Sequence, residues 1–292
     1  MRRLGFPGRL LLIVLAAASM ATRACADPAL WAVRSASATV YLFGTVHLLK
    51  SDRPWRSLRI DRALGDAQEL WLEVQDPLDK TAIAPLMARY GRDAAHPLST
   101  RLDAHERARL TSIVTRNGLP GIASLEPLRP WVAATYIAML PLMRAGYDTA
   151  NGVEKTLADE VAASARPVHG LETLEEQIRF LAALPPKVEI QMLDEAMDSV
   201  DEGLVKMEEI VAAWSTGDVD AIERLVVQEL ATKEPDVYRT LIVDRNKAWA
   251  AQLAERLKGR GVCFVAVGAG HLVGPDRLQT QLASDGLTIE RQ

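Results

Sequence analysis

Two stretches near opposite ends of the chain share one plan, and that plan restricts what the chain can fold into. Val40-Tyr41-Leu42-Phe43 is an apolar run that passes into Gly44-Thr45-Val46-His47. Val262-Cys263-Phe264-Val265-Ala266-Val267 passes likewise into Gly268-Ala269-Gly270-His271. Each run is short for a helix and rich in β-branched or aromatic residues, so each reads as a buried strand. Glycine at a strand exit lets the backbone turn tightly or approach a ligand. The histidine then stands at the mouth of the sheet, where open α/β sheets place their sites. One such histidine alone would read as structural. The chain has only five histidines, however, and two of them hold equivalent places in matching strand exits. The expectation is that these two meet at one site.

A third strand carries an acid. Leu70-Trp71-Leu72-Glu73-Val74 has the pattern of a buried strand with a carboxylate near its C-terminal end. A buried carboxylate is costly unless it is partnered. Glu73 is therefore expected at the strand mouth beside His47; an edge strand that tolerates the charge is the plainer alternative. Arg166 to Glu172 reads as another strand and its exit, followed by a capping box of Thr173 and Glu176. Glu172 thus falls between a strand end and a helix start. Sites form at such places, although an acid there also simply favours the helix dipole.

The remaining pattern is mostly helical. Aromatics make up 5% of residues while alanine and leucine abound, which favours helices around a modest sheet. Leu30 to Arg34 and Ala38 to Phe43 read as a hairpin, and Asp103 with Glu106 as a second capping box. Helices are expected over about 78–150 and from Pro186 to Arg260, with a closing strand at Gly286 to Glu290.

Residues 1–26 read as a secretory signal. Arg2, Arg3 and Arg9 precede an apolar stretch from Leu10 to Ala18, and Ala24-Cys25-Ala26 is a cleavage site, so the mature chain is expected to start at Asp27. A periplasmic or secreted location follows. Cleavage removes four arginines and no acids, so a formal charge of −4 becomes −8. That balance argues against nucleic acid as a partner. It also leaves one cysteine, Cys263, and hence no internal disulfide. No later stretch is expected to span a membrane: Trp131 to Leu140, bounded by prolines, is too short.

Two histidines and a carboxylate from separate strand ends make a triad suited to a divalent metal, with His47, Glu73 and His271 as ligands. Such an ion lowers the pKa of water from about 15.7 towards about 7. A second carboxylate, Glu172 or Glu154, can take the proton, and Arg245 can stabilise an oxyanion. No H-E-x-x-H or G-x-S-x-G motif is present, and Cys263 lies mid-strand, so helix-borne zinc-protease and serine or cysteine nucleophile chemistries are not expected.

Gly44-Thr45-Val46-His47, Trp71-Leu72-Glu73, Gly170-Leu171-Glu172-Thr173 with Gln177, Arg245-Asn246 and Gly268-Ala269-Gly270-His271-Leu272 together resemble the motifs of the TraB/GumN family, in order along nearly the whole mature chain. That family is similar to the Tiki metalloproteases. The resemblance implies an α/β fold: a central mixed sheet from two repeated strand–helix units, with a large helical insertion, here at about 78–150 and 185–260 of a single domain over 27–292. It implies a metal site at His47, Glu73 and His271, with Glu73, Glu172 and Arg245 in catalysis. It also implies a manganese, cobalt or zinc ion and a peptide or protein substrate. The expected function is an exported metal-dependent hydrolase, peptidase-like. The alternative is a non-catalytic ligand- or metal-binding accessory protein of envelope polysaccharide production.

Overall fold

The computed structural model describes residues 27–75, 80–283 and 286–292. The expected signal sequence lies outside the described residues, as does the Asp76-Pro77 break after the third strand. Six strands form one mixed sheet: β1 (Leu30–Arg34), β2 (Ala38–Thr45), β3 (Glu69–Val74), β4 (Val168–Glu172), β5 (Gly261–Gly268) and β6 (Thr288–Arg291). Their order across the sheet is β4-β3-β5-β2-β1-β6. β4, β3, β5 and β2 run parallel, and β1 is antiparallel to both its neighbours.

The chain order explains where the site arises. β2 leads through the helix Leu58–Asp66 to β3, which does not pair with β2. The gap between them is filled by β5, from near the other end of the chain. In the β2–β5 register Gly44 faces Val267 and Thr45 faces Gly268. The two strand-glycine units therefore end side by side, at the C-terminal edge of the parallel strands.

Alternation sorts the side chains onto two faces. Phe43, Leu70, Leu72 and Phe264 pack against the helices Leu58–Asp66, Val153–Ala163 and Gly203–Ser215. Val40, Leu42, Cys263, Val265 and Val267 face the opposite way, onto the long helix 235–257 and the short Leu278–Leu282 helix. Trp71 and Glu73 share a parity, so both face that long helix. A third core is built without the sheet, from Leu110, Val114, Ala133, Ile137, Leu193 and neighbouring residues of the helices Ala104–Arg116, Pro130–Arg144 and Pro186–Ser199. Among the described residues no helix is long and apolar enough to cross a membrane.

Local chemistry fixes the helix ends close to their expected places. Asp103 and Thr173 both make full capping boxes with the glutamate three residues on. Gly217, with φ +66°, turns the chain after the Gly203–Ser215 helix. The final strand is Thr288–Arg291 rather than 286–290, because Gly286, at φ +86°, is spent in the turn. His169, within β4, has a side chain 41% exposed; it packs on Trp71 and pairs with Glu69 at 3.1 Å. The reason is its place on an edge strand, which has a neighbour on one side only.

Two consequences can be measured. Burial pushes the Cys263 thiol up to about 12, and its side chain is inaccessible. Residues 27–292 should therefore show no reaction with a disulfide reagent at mildly alkaline pH when native and one equivalent when denatured. Gly152, which opens the Val153–Ala163 helix, has no room for a side chain: a Cβ there would lie 2.4 Å from the His47 carbonyl oxygen and 3.0 Å from that of Thr149. Gly152→Ala is expected to lose about 1–3 kcal/mol in a denaturant titration.

Candidate functional site

Four strand ends and three helices supply the cluster. His47 follows β2. Its Nδ1 lies 2.7 Å from Glu154 Oε1, on the first turn of the Val153–Ala163 helix. The Thr45 hydroxyl donates to the same carboxylate oxygen. Glu154 is buried, whereas the His47 side chain is 58% exposed and faces the cleft. The attraction of Glu154 outweighs desolvation and raises His47 to about 9. Solvent at the open face of the ring screens part of that attraction.

His271 is the opposite case. It lies in a short 3-10 turn, Ala269–Leu272, directly after β5, and is buried. Its Nδ1–H donates to Asn246 Oδ1 at 2.7 Å, while Asn246 Nδ2 donates to the His271 carbonyl at 3.1 Å. This reciprocal pair fixes the ring and leaves Nε2 as the lone-pair nitrogen. Trp249 packs on the ring with centroids 4.5 Å apart. Burial lowers His271 to about 3, against the pull of Glu73, so the ring is neutral.

Glu73 sits between them. Its Oε1 accepts from the Gly268 N–H at 2.7 Å and lies 3.7 Å from His271 Nε2. Its Oε2 accepts from Arg245 Nη2 at 2.6 Å. Burial alone would raise this carboxyl; Arg245, His271 and His47 together hold it well below the usual carboxylate range. Glu172, at the end of β4, is held from all sides. Arg245 donates to it twice, at 3.0 and 2.7 Å, Gln177 Nε2 at 3.1 Å and Trp249 Nε1 at 3.2 Å. Burial raises its pKa against these bonds.

Arg245 is 7% exposed and stands over the Trp249 ring. It follows a π-helical segment, Arg239–Val243, within helix 235–257. The wider turn leaves the Leu241 carbonyl for Arg245 Nη1, at 3.2 Å, and the same nitrogen lies 3.2 Å from His271 Nε2. π segments inside α-helices recur at functional sites.

The sequence-expected residues His47, Glu73, Glu172, Arg245 and His271 are thus brought to one edge. Three further residues set the geometry: Asn246, Gln177 and Thr45. Asn246 stands beside Arg245, and its total burial is the sign of its role. Thr45 carries no signal beyond its place between Gly44 and His47.

Two imidazoles and a carboxylate match a divalent metal in donor type. Both imidazoles are anchored at Nδ1, the way metal-binding histidines are oriented by a second partner. A Cβ on Gly268 would lie 3.3 Å from His47 Nε2, 3.2 Å from Glu73 Oε1 and 3.7 Å from His271 Cδ2. The missing side chain leaves a space bordered by one ligand atom each of His47 and Glu73 and by a ring carbon of His271. Even so, among the described residues no three His, Cys, Asp or Glu side chains are gathered as an ion would gather them. Arg245 lies against two of the three.

The cluster opens into a cavity of about 450 Å³. Leu72, Val74, Leu181 and Leu241 give it an apolar wall, and Lys155 and Thr135 stand on other sides. The His47–Glu154 pair gives a direct test. Because the folded pKa is raised, the pair stabilises the fold fully below about 6.5 and is lost as pH rises through about 9. The His47 ring proton resonance should titrate near that upper value in the wild type and fall towards 6.5 in Glu154→Gln.

The sequence model of the TraB/PrgY/gumN family matches residues 29–291. The chain is also similar to the uncharacterized protein YbaP of Escherichia coli (strain K12) and to that of Shigella flexneri. Identity is 26% over 243 residues in each case, covering 83% of this chain and 87% of theirs. No solved structure matches. With nearly all of its described residues inside that match, this chain belongs to the TraB/PrgY/gumN family.

Proposed function

We propose that the protein is an exported hydrolase that depends on a divalent metal, manganese, cobalt or zinc, and acts on peptide bonds. The observation that carries this reading is the pair of imidazoles on adjacent strand exits, each anchored at Nδ1, with Glu73 between them. His47, Glu73 and His271 would hold the ion. Bound there, it would supply Lewis acidity and activate water.

The chain's own residues divide the other tasks. Glu154 orients His47 and lines the cavity, which suits it to carry a proton to and from the reacting groups. Glu172 is a weaker candidate for that task, since Arg245, Gln177 and Trp249 take both its oxygens. The apolar wall excludes water and accommodates a side chain of an extended peptide; about 450 Å³ is within the range of small-ligand sites. A second reading, a binding protein without turnover, is favoured by one fact: Arg245 already occupies the His271 lone pair.

The readings part on experiment. Residues 27–292 should bind one divalent ion by calorimetry, with His47→Ala and His271→Ala each weakening binding at least a hundredfold. Unaltered affinity in both would remove the metal site. Cleavage of a peptide library with added metal, abolished by Glu73→Gln, would remove the binding-only reading. N-terminal sequencing of the exported protein should begin at Asp27; an uncleaved leader would remove export by this signal.

A further inference from the structure

A second cavity, of about 470 Å³, shares no lining residue with the one beside His47. Trp31 of β1 and Ile289 of β6 bound it on the sheet side, and the short Leu278–Leu282 helix contributes Gln279. Gln279 is 5% exposed. Its Nε2 donates to the Leu272 carbonyl at 3.1 Å. Only the nitrogen of the amide can donate there, so this bond also fixes which way the amide lies. Oε1 is buried and has no hydrogen-bond partner among the described residues. Buried acceptors are nearly always satisfied, so an orphan in the wall of a cavity calls for a donor from outside the chain.

The charges around this cavity are not neutralised by one another. Asp220 lines it from the short helix Val219–Ile222, Glu223 follows, and Arg277 lines it from the start of the Leu278–Leu282 helix. Among the described residues no ion pair joins Arg277 to either acid, and the side chains of Arg277 and Asp220 have no partner. Glu223 accepts from Gln228 Nε2 at 3.2 Å. Arg291, the other cation on the wall, is already engaged: it bonds the Gly217 carbonyl and stands over the Trp31 ring. Opposite charges that share a cavity without meeting are placed to meet a ligand that bears both. Trp31, Ile289 and Leu272 supply apolar surface, and the volume lies within the range of small-ligand sites.

We infer that this cavity binds a zwitterion, an amino acid or dipeptide with free termini and a large apolar side chain. Its ammonium group donates to Gln279 Oε1 and faces Asp220 and Glu223, and its carboxylate pairs with Arg277. The side chain lies against Trp31 and Ile289. The site is separate from the cluster of His47, Glu73 and His271 and does not depend on a metal there. One bond ties the two together: Gln279 holds the carbonyl of Leu272, the residue next to His271. A ligand that bonds the Gln279 amide is therefore felt at the His271 ring.

The probes are L-phenylalanine and phenylalanyl-phenylalanine, titrated by calorimetry into residues 27–292 with no metal added. One equivalent of at least one probe should bind, and the tighter of the two identifies the ligand as amino acid or dipeptide. N-acetylphenylalanine amide, which lacks both charges, should bind at least tenfold more weakly. Arg277→Ala should weaken binding at least tenfold, as should Asp220→Asn combined with Glu223→Gln. Arg277 and Asp220 are exposed, so these variants keep the fold, which circular dichroism checks. Gln279→Met, which fills the same space without the amide, should have an effect of the same size; if it does not fold, the charge variants decide. The His271 ring resonances should move on binding in the wild type, and unmoved resonances would remove the tie to that ring. Absence of binding by both probes, or equal binding of the uncharged analogue, would overturn the site. So would binding that survives Arg277→Ala but is lost in Leu241→Glu, which would put the probe in the cavity beside His47. The hydrolase reading would stand in each of these cases.

Discussion

The position of β5 between β2 and β3 is the constraint from which the site follows. Its pairing with β2 puts Gly268 opposite Thr45, and its pairing with β3 brings Glu73 to the Gly268 amide. A buried central strand has little freedom of register, because a slip of one residue would turn Cys263, Val265 and Val267 away from their helix. Fixed register means fixed histidines. His47 and His271 leave adjacent parallel strands at the same level and turn through different loops. One ends at the cleft and the other inside the protein.

The two imidazoles are made unequal by that difference. His47 shares the open side with Glu154 and holds a proton strongly; His271 is buried against Trp249 and repels one. Between them Glu73 stays ionised because Arg245 supplies charge within hydrogen-bonding distance. Arg245 pairs with Glu73 and Glu172, while Glu154 pairs with His47.

Much of this is legible in the residues. The two strand-G-x-x-H units mark the central strands, and a carboxylate in Leu-Trp-Leu-Glu-Val marks a partnered acid, since burial without a partner is too costly. Both capping boxes mark helix starts because their chemistry is local. What the residues hide depends on tertiary contact. Nothing in Arg245-Asn246 says that one side chain will have every donor satisfied and the other will clamp a histidine; both outcomes need β5 and the long helix in place. The π segment before Arg245 has no sequence signature, and the separate helical core around Ile137 and Leu193 follows from packing between helices whose periodicity alone does not choose partners.

The same threading has a kinetic side. β2 and β5 are far apart in the chain, the first ending at Thr45 and the second beginning at Gly261, and the entropy of closing so long a loop must be met before any of their contacts form. Folds dominated by such distant pairings assemble slowly. Until Gly261–Gly268 is available, β2 and β3 each present an open flank where β5 belongs. A strand synthesised late is thus the one that closes the sheet, and the histidines cannot become neighbours until it does.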